Sequence, residues 1–162
     1  MKVIYTKMKN FLLTTIVLMA AVSAMAQEKE ALKPGFVHSV GLGVGYEVYN
    51  RREEVNLVAE LGFGYRVNAK NTFAIGIRAD VISGSASTFL LHTYDFLTTD
   101  SSPFLSYKIG AADVLYDNPG WHLGIEGGYR FLLAHKHPLR VGLSVESRFS
   151  TVSVGILARM DF

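Results

Sequence analysis

The chain has 162 residues, with 16 Lys and Arg against 14 Asp and Glu, and no cysteine. That length suits a single domain. The near-balanced charge argues against nucleic acid as a partner, and the missing cysteine excludes disulfide staples and a lipid anchor on an N-terminal cysteine.

The first segment has three parts. Lys2, Lys7 and Lys9 make a basic start, Phe11 to Val22 form an apolar run, and Ala24-Met25-Ala26 places small residues where a signal peptidase reads them. This order predicts a secretory signal peptide over 1–26, cleaved before Gln27. A transmembrane helix would need roughly 20 apolar residues, and this run is shorter. Cleavage removes three lysines and no acids, so a formal charge of +2 becomes −1. Residues 27–35 read as a short periplasmic lead and 36–162 as the folded domain.

From Val40 the pattern alternates with period two. Val40, Leu42, Val44, Tyr46 and Val48 oppose Gly41, Gly43, Gly45 and Glu47. Next, Val55, Leu57, Ala59, Leu61, Phe63, Tyr65 and Val67 oppose Asn56, Glu60, Gly62, Gly64 and Arg66, and Phe73, Ile75, Ile77, Ala79 and Val81 oppose Gly76, Arg78 and Asp80. Successive side chains of a strand point to opposite faces, so each stretch predicts a strand with one apolar side. The segments Phe89 to Phe96 and Phe104 to Val114 also read as strands, with a less clean phase that leaves the facing of His92 open.

The later segments repeat the alternation. Leu123, Ile125, Gly127, Tyr129 and Phe131 oppose His122, Gly124, Glu126, Gly128 and Arg130; Leu139, Val141, Leu143 and Val145 oppose Arg140, Gly142, Ser144 and Glu146. The last strand sets Val152, Val154, Ile156, Ala158, Met160 and Phe162 against Ser153, Gly155, Arg159 and Asp161. Turn signals rich in Asn, Gly, Ser and Pro separate the segments, and no helix is suggested after the signal. Eight strands of about 10 residues are long enough to cross a bilayer when tilted.

Alternation alone does not say which face meets water. A membrane barrel turns its apolar side to lipid, whereas a soluble lipocalin-like periplasmic carrier turns it inward around a ligand. The polar face here is crowded with glycine, which weakens a water-facing sheet but lets bulky neighbours fit inside a narrow eight-stranded lumen. The same face carries Glu47, Glu60, Asp80, Glu126, Glu146 and Asp161 against Arg66, Arg78, Lys108, Arg130, Arg140, Arg148 and Arg159. Six acids and seven bases are nearly balanced, as a closed space requires if charges are to pair. The connection between the second and third strands places Glu60 opposite or diagonal to Arg78, and a three-residue loop near Tyr116 to Asn118 would set Lys108 opposite Glu126.

The end of the chain carries a resemblance. A last strand with apolar residues at alternate positions (Val154, Ile156, Ala158, Met160) and a terminal aromatic, Phe162, resembles the assembly signal of bacterial outer-membrane barrels. The stretches Pro103-Phe104-Leu105-Ser106-Tyr107-Lys108-Ile109-Gly110 and Gly124-Ile125-Glu126-Gly127-Gly128-Tyr129-Arg130-Phe131 are similar to the small outer-membrane β-barrel family. The resemblance implies an all-β, eight-stranded, antiparallel up-and-down transmembrane barrel with a filled polar lumen and both termini in the periplasm. Turns near Asn68 to Asn71, Thr98 to Ser102 and Ala134 to His137 would then be periplasmic. The outer loops would be Tyr49 to Glu54, Ser83 to Ser87, Tyr116 to Gly120 and Ser147 to Thr151. These loops are short, which disfavours a large partner-binding surface. Tyr46, Tyr49, Tyr65, Phe73, Tyr107, Trp121, Phe131 and Phe162 are expected near strand ends, where aromatic girdles form.

Candidate chemistry is sparse. His135 and His137 flank Lys136 in a turn without a second ligand cluster, so no metal is expected. Gly43-Val44-Gly45 and Gly62-Phe63-Gly64 lie within strands and do not form a phosphate loop. A lipid-modifying barrel enzyme would need a His near a Ser or acid, but in His38-Ser39 and His92-Thr93 the neighbours point to opposite faces. A lumen filled by charged side chains disfavours open solute conduction. The sequence therefore predicts a monomeric outer-membrane barrel with a structural or envelope-interaction role, without catalysis or cofactor. Its partners would be outer-membrane lipid, lipopolysaccharide and, during biogenesis, the barrel-assembly machinery.

Overall fold

The structure, a computed structural model, describes residues 32–49, 52–115, 119–133, 137–148 and 151–162. The expected signal peptide, most of the lead, and turn residues 50–51, 116–118, 134–136 (with His135) and 149–150 lie outside the described residues, as do the side chains of Tyr49, Arg52 and Glu53.

Eight strands follow in order: β1 (Gly35–Tyr49), β2 (Arg52–Arg66), β3 (Asn71–Asp80), β4 (Ser85–Asp95), β5 (Ser101–Ala112), β6 (Gly120–Leu133), β7 (His137–Arg148) and β8 (Thr151–Asp161). Each pairs antiparallel with its chain neighbours, and β1 pairs with β8 to close a barrel. The seam runs from Ser39↔Asp161 to Tyr49↔Thr151. The Phe162 amide donates to the His38 carbonyl at 2.8 Å, extending that seam. Closure leaves no sheet edge, so backbone donors and acceptors are satisfied without water.

The barrel has a loop end, with the β1–β2, β3–β4, β5–β6 and β7–β8 turns, and a terminal end, with the start of β1, the finish of β8 and the other three turns. The period-two pattern sets the facing. Outward residues are large and apolar and stand free of protein cover: Leu42 is 66 % exposed, Ile75 65 % and Ile109 59 %. Inward residues are polar and shut away, with Arg130 and His122 both at 0 %. This inverts the rule for water-soluble domains, in which charged groups are almost never fully buried unless paired. A lipocalin-like carrier needs the opposite facing.

Bulky and small residues interlock inside. A Cβ built on Gly76 would lie 2.5 Å from the Phe89 ring, one on Gly142 3.0 Å from Phe104, and one on Gly43 3.0 Å from Leu157. These distances are at or below the limit of ordinary contact, so glycine on one wall makes room for a ring or Leu from another. Phe89, Leu91, Phe104 and Leu157 are buried inward-facing apolar groups. Their inward direction explains why β4 lacked a clean phase: Leu90 faces out (57 % exposed) while Phe89 and Leu91 face in, so both faces of β4 are apolar.

Of the aromatics expected at the strand ends, Tyr65, Phe73 and Phe162 lie exposed toward the terminal end, with Phe131 half-buried there, and Tyr46 and Trp121 lie exposed toward the loop end; Phe36, not among those expected, joins the terminal end. Tyr107 instead lies mid-strand in β5, because that strand continues from Ser101 to Ala112. His92 faces outward, stacked on Phe73 at 4.5 Å and facing Tyr107 at 6.5 Å, with Nε2 3.1 Å from Asn71 Oδ1.

Candidate functional site

The lumen gathers charged residues from all eight strands, because each strand's polar face points there. Every lumen charge read from the sequence is buried or, for Glu47, half-buried. Two further titratable residues join them. Asp95 is 1 % exposed at the end of β4, and His122 is fully buried on β6. Asp95 was hidden by the ambiguous phase of β4; with it, the described lumen holds seven acids and seven bases.

The charges form two groups. Toward the loop end, Arg148 pairs with both Glu47 and Asp80. Arg78 pairs with Asp80 at 3.0 Å and with Glu146. Lys108 is a hub: its Nζ donates to Glu60 and to Glu146 (3.0 Å), and it stands 4.0 Å from Glu126. Arg159 pairs with Glu126 at 3.2 Å and with Glu60 at 3.7 Å, and donates to Ser106 Oγ at 3.4 Å. His122 Nε2 lies 3.2 Å from Glu146, and the His122 ring meets Phe89 edge-on at 5.7 Å.

Toward the terminal end, Arg140 bridges Asp161 and Asp95, the latter at 2.8 Å. Arg66 pairs with Asp161 at 3.2 Å, and Arg130 stands 3.6 Å from Asp95. Arg130 Nη2 also donates to the carbonyls of Thr99 (2.6 Å) and Leu97 (3.2 Å), tying the β4–β5 turn across the mouth. The Arg140 guanidinium lies 6.0 Å from the Phe104 ring centroid.

The two register expectations separate here. Glu60 lies directly opposite Arg78, 3.8 Å apart. Lys108, however, lies opposite Gly124, and Glu126 faces Ser106. The β5–β6 connection runs from Asp113 to Pro119, longer than three residues, and moves the register by two. Lys108 consequently reaches Glu126 only on the diagonal, with Glu60 and Glu146 nearer.

Catalytic geometry does not assemble from the candidate pairs. His38 packs against Phe63 at 4.9 Å on the outside while Ser39 is buried inward. Thr93 is likewise inward, bonded to Ser106 at 2.8 Å, away from outward His92. Among the described residues no group of three or more His, Cys, Asp and Glu is placed to hold a metal ion. A lumen cavity between Gly43, Gly45, Val58, Arg78, Ser144 and Ser153 has a volume of about 10 Å³, room for about one water molecule.

No known family model matches the chain, and no curated protein matches its sequence. Solved structures do match its shape. Neisserial surface protein A (NspA) is 14 % identical, with a TM-score of 0.62 over 80 % of this chain and 97 % of that one. A de novo designed transmembrane β-barrel is 16 % identical, with a TM-score of 0.53 over 82 % of this chain and all of that one. With a closed eight-strand cylinder, an apolar outside and a charged inside, the chain has the fold of the eight-stranded outer-membrane β-barrels.

Proposed function

We propose that this protein is an integral outer-membrane barrel with a structural or envelope-interaction role and no catalytic activity. The observation that carries the reading is its inside-out surface. A cylinder with Leu42, Ile75 and Ile109 mostly exposed and Arg130, Glu126 and Glu146 almost fully buried is stable only in an apolar surrounding. The paired charges in the lumen cross-link opposite walls: Arg78 joins β3 to β7, and Arg140 joins β7 to β4 and β8. They would make the barrel rigid rather than reactive.

The remaining parts of the reading follow from this seat. The signal segment 1–26 directs export and is cleaved, the terminal end faces the periplasm, and Val154, Ile156, Ala158, Met160 and Phe162 are the strand face offered to the barrel-assembly machinery. Outer-membrane lipid and lipopolysaccharide are the surrounding partners, and the barrel is a monomer. The side-chain-filled lumen argues against solute conduction.

Heat-modifiability tests the central claim. Protein from the outer-membrane fraction should run faster on a denaturing gel unboiled than boiled, because a closed barrel resists detergent. A soluble periplasmic protein with no mobility shift would overturn the reading.

A further inference from the structure

The apolar belt does not have the same height all round. On the β3–β6 side it continues past the strand ends into the turns. Val81 and Ile82, after β3, are 62 % and 57 % exposed, and Leu115, after β5, is 73 % exposed. Such exposed apolar turn residues are unusual, since turns are ordinarily polar.

The turns are held in place. The Gly84 amide donates to the Asp80 carbonyl at 2.8 Å, with Gly84 at a φ of +70°, and Val81 donates to Leu57 at 2.8 Å. Val114 donates to Ala86 at 3.0 Å just after Asp113, which turns the chain at a φ of +55°. That last bond links the β5–β6 connection to β4, so the two apolar tips are neighbours. Below them the outer wall carries a groove of about 340 Å³ lined by Ile75, Thr88, Leu90 and Ile109. The apolar surface therefore runs unbroken from mid-barrel to the tips.

The opposite side differs in sequence. The β1–β2 hairpin reads Arg51-Arg52-Glu53-Glu54, and Glu54 is exposed. An exposed carboxylate such as Glu54 belongs in water, whereas Val81, Ile82 and Leu115 do not.

We propose that the β3–β4 turn and, from the β5–β6 connection, Val114 and Leu115 insert into the lipid leaflet at the loop end, so that the barrel sits tilted with its β3–β6 side deeper. The occupant of this surface is lipid, because the surface is continuous with the belt and, in its described part, carries one charged side chain beyond the strand ends, Asp113. This inference rests on the membrane reading above. A tilt of this origin follows from matching apolar height to bilayer thickness.

The test uses tryptophan as a depth reporter in a Trp121→Phe background, because Trp121 is the chain's one native tryptophan. Ile82→Trp, Leu115→Trp, Glu54→Trp and Leu123→Trp, the last on the outer wall one outward position inside Trp121, are refolded into phosphatidylcholine vesicles. Some vesicles carry bromine on the acyl chains near the headgroup, and aqueous iodide serves as the opposing quencher. Ile82→Trp and Leu115→Trp should be quenched by the brominated lipid and protected from iodide, with Glu54→Trp showing the reverse. Quenching of Ile82→Trp and Leu115→Trp by iodide, with Leu123→Trp still quenched by lipid, would overturn the insertion while leaving the membrane reading intact. Protection from both quenchers would also overturn it, placing a protein on that surface. If Leu123→Trp escapes lipid quenching, the membrane reading itself fails.

Discussion

The two halves of the lumen solve the same problem with different parts. The loop half gathers carboxylates around an ammonium: Lys108 serves Glu60 and Glu146, with Glu126 at the edge of reach. The terminal half uses arginine only. Arg66, Arg130 and Arg140 divide two aspartates among them, and Arg130 also donates from Nη2 to the Leu97 and Thr99 carbonyls. A compact ammonium suits a crowded meeting of carboxylates, while the planar guanidinium spans longer gaps and bonds carbonyls as readily as acids. Both arrangements join walls that are distant in sequence, so each acts as a brace that closure makes available.

Removing a hub should separate the halves most sharply. Lys108→Met leaves three buried carboxylates short of a partner, and a loss of about 3–5 kcal/mol is expected. Arg140→Met takes a partner from two aspartates rather than three carboxylates, so its loss should lie at the lower end, about 3 kcal/mol. Urea unfolding in lipid vesicles measures both. Equal losses would mean that the two halves are energetically alike.

A mutant cycle on Glu60→Ala and Arg78→Ala refines the picture of the loop half. The double variant should be more stable than the sum of the singles implies by about 1–2 kcal/mol. Strict additivity would show that these two residues, although opposite in register, act through other partners.

Packing gives a third test. Gly76→Ala should cost about 1–2 kcal/mol by driving a methyl into the Phe89 ring, and adding Phe89→Leu should recover part of it. No recovery would place the strain in the backbone instead of the ring.

The smallest effect belongs to the outside. His92→Phe keeps the stack on Phe73 and loses a single contact to Asn71, so the change should stay within about 0.5 kcal/mol. A larger loss in the same urea titration would give that outward-facing, half-buried histidine a structural role that the lumen comparison denies it.

Much of this architecture is local in origin and could be read residue by residue. A strand's two faces differ in direction, so alternation in β2 or β8 marks outside and inside without knowledge of any neighbour. The closely connected β2 and β3 also made Glu60 and Arg78 partners on the page, because a short connection pins register. Where these local rules lapse, so does legibility. β4 has apolar residues on both faces, which concealed Asp95, and the β5–β6 connection is long enough to move Lys108 from Glu126 to Gly124.

What the sequence determined by itself was therefore the strand count, the facing outside β4, and all but Asp95 of the charges that need partners. Which charge meets which across the lumen was decided by closure. Arg78 with Glu146, Arg148 with Asp80 and Arg140 with Asp95 join strands that are not neighbours. Their meeting depends on the stagger accumulated around all eight strands, a quantity that belongs to the cylinder and to no single segment.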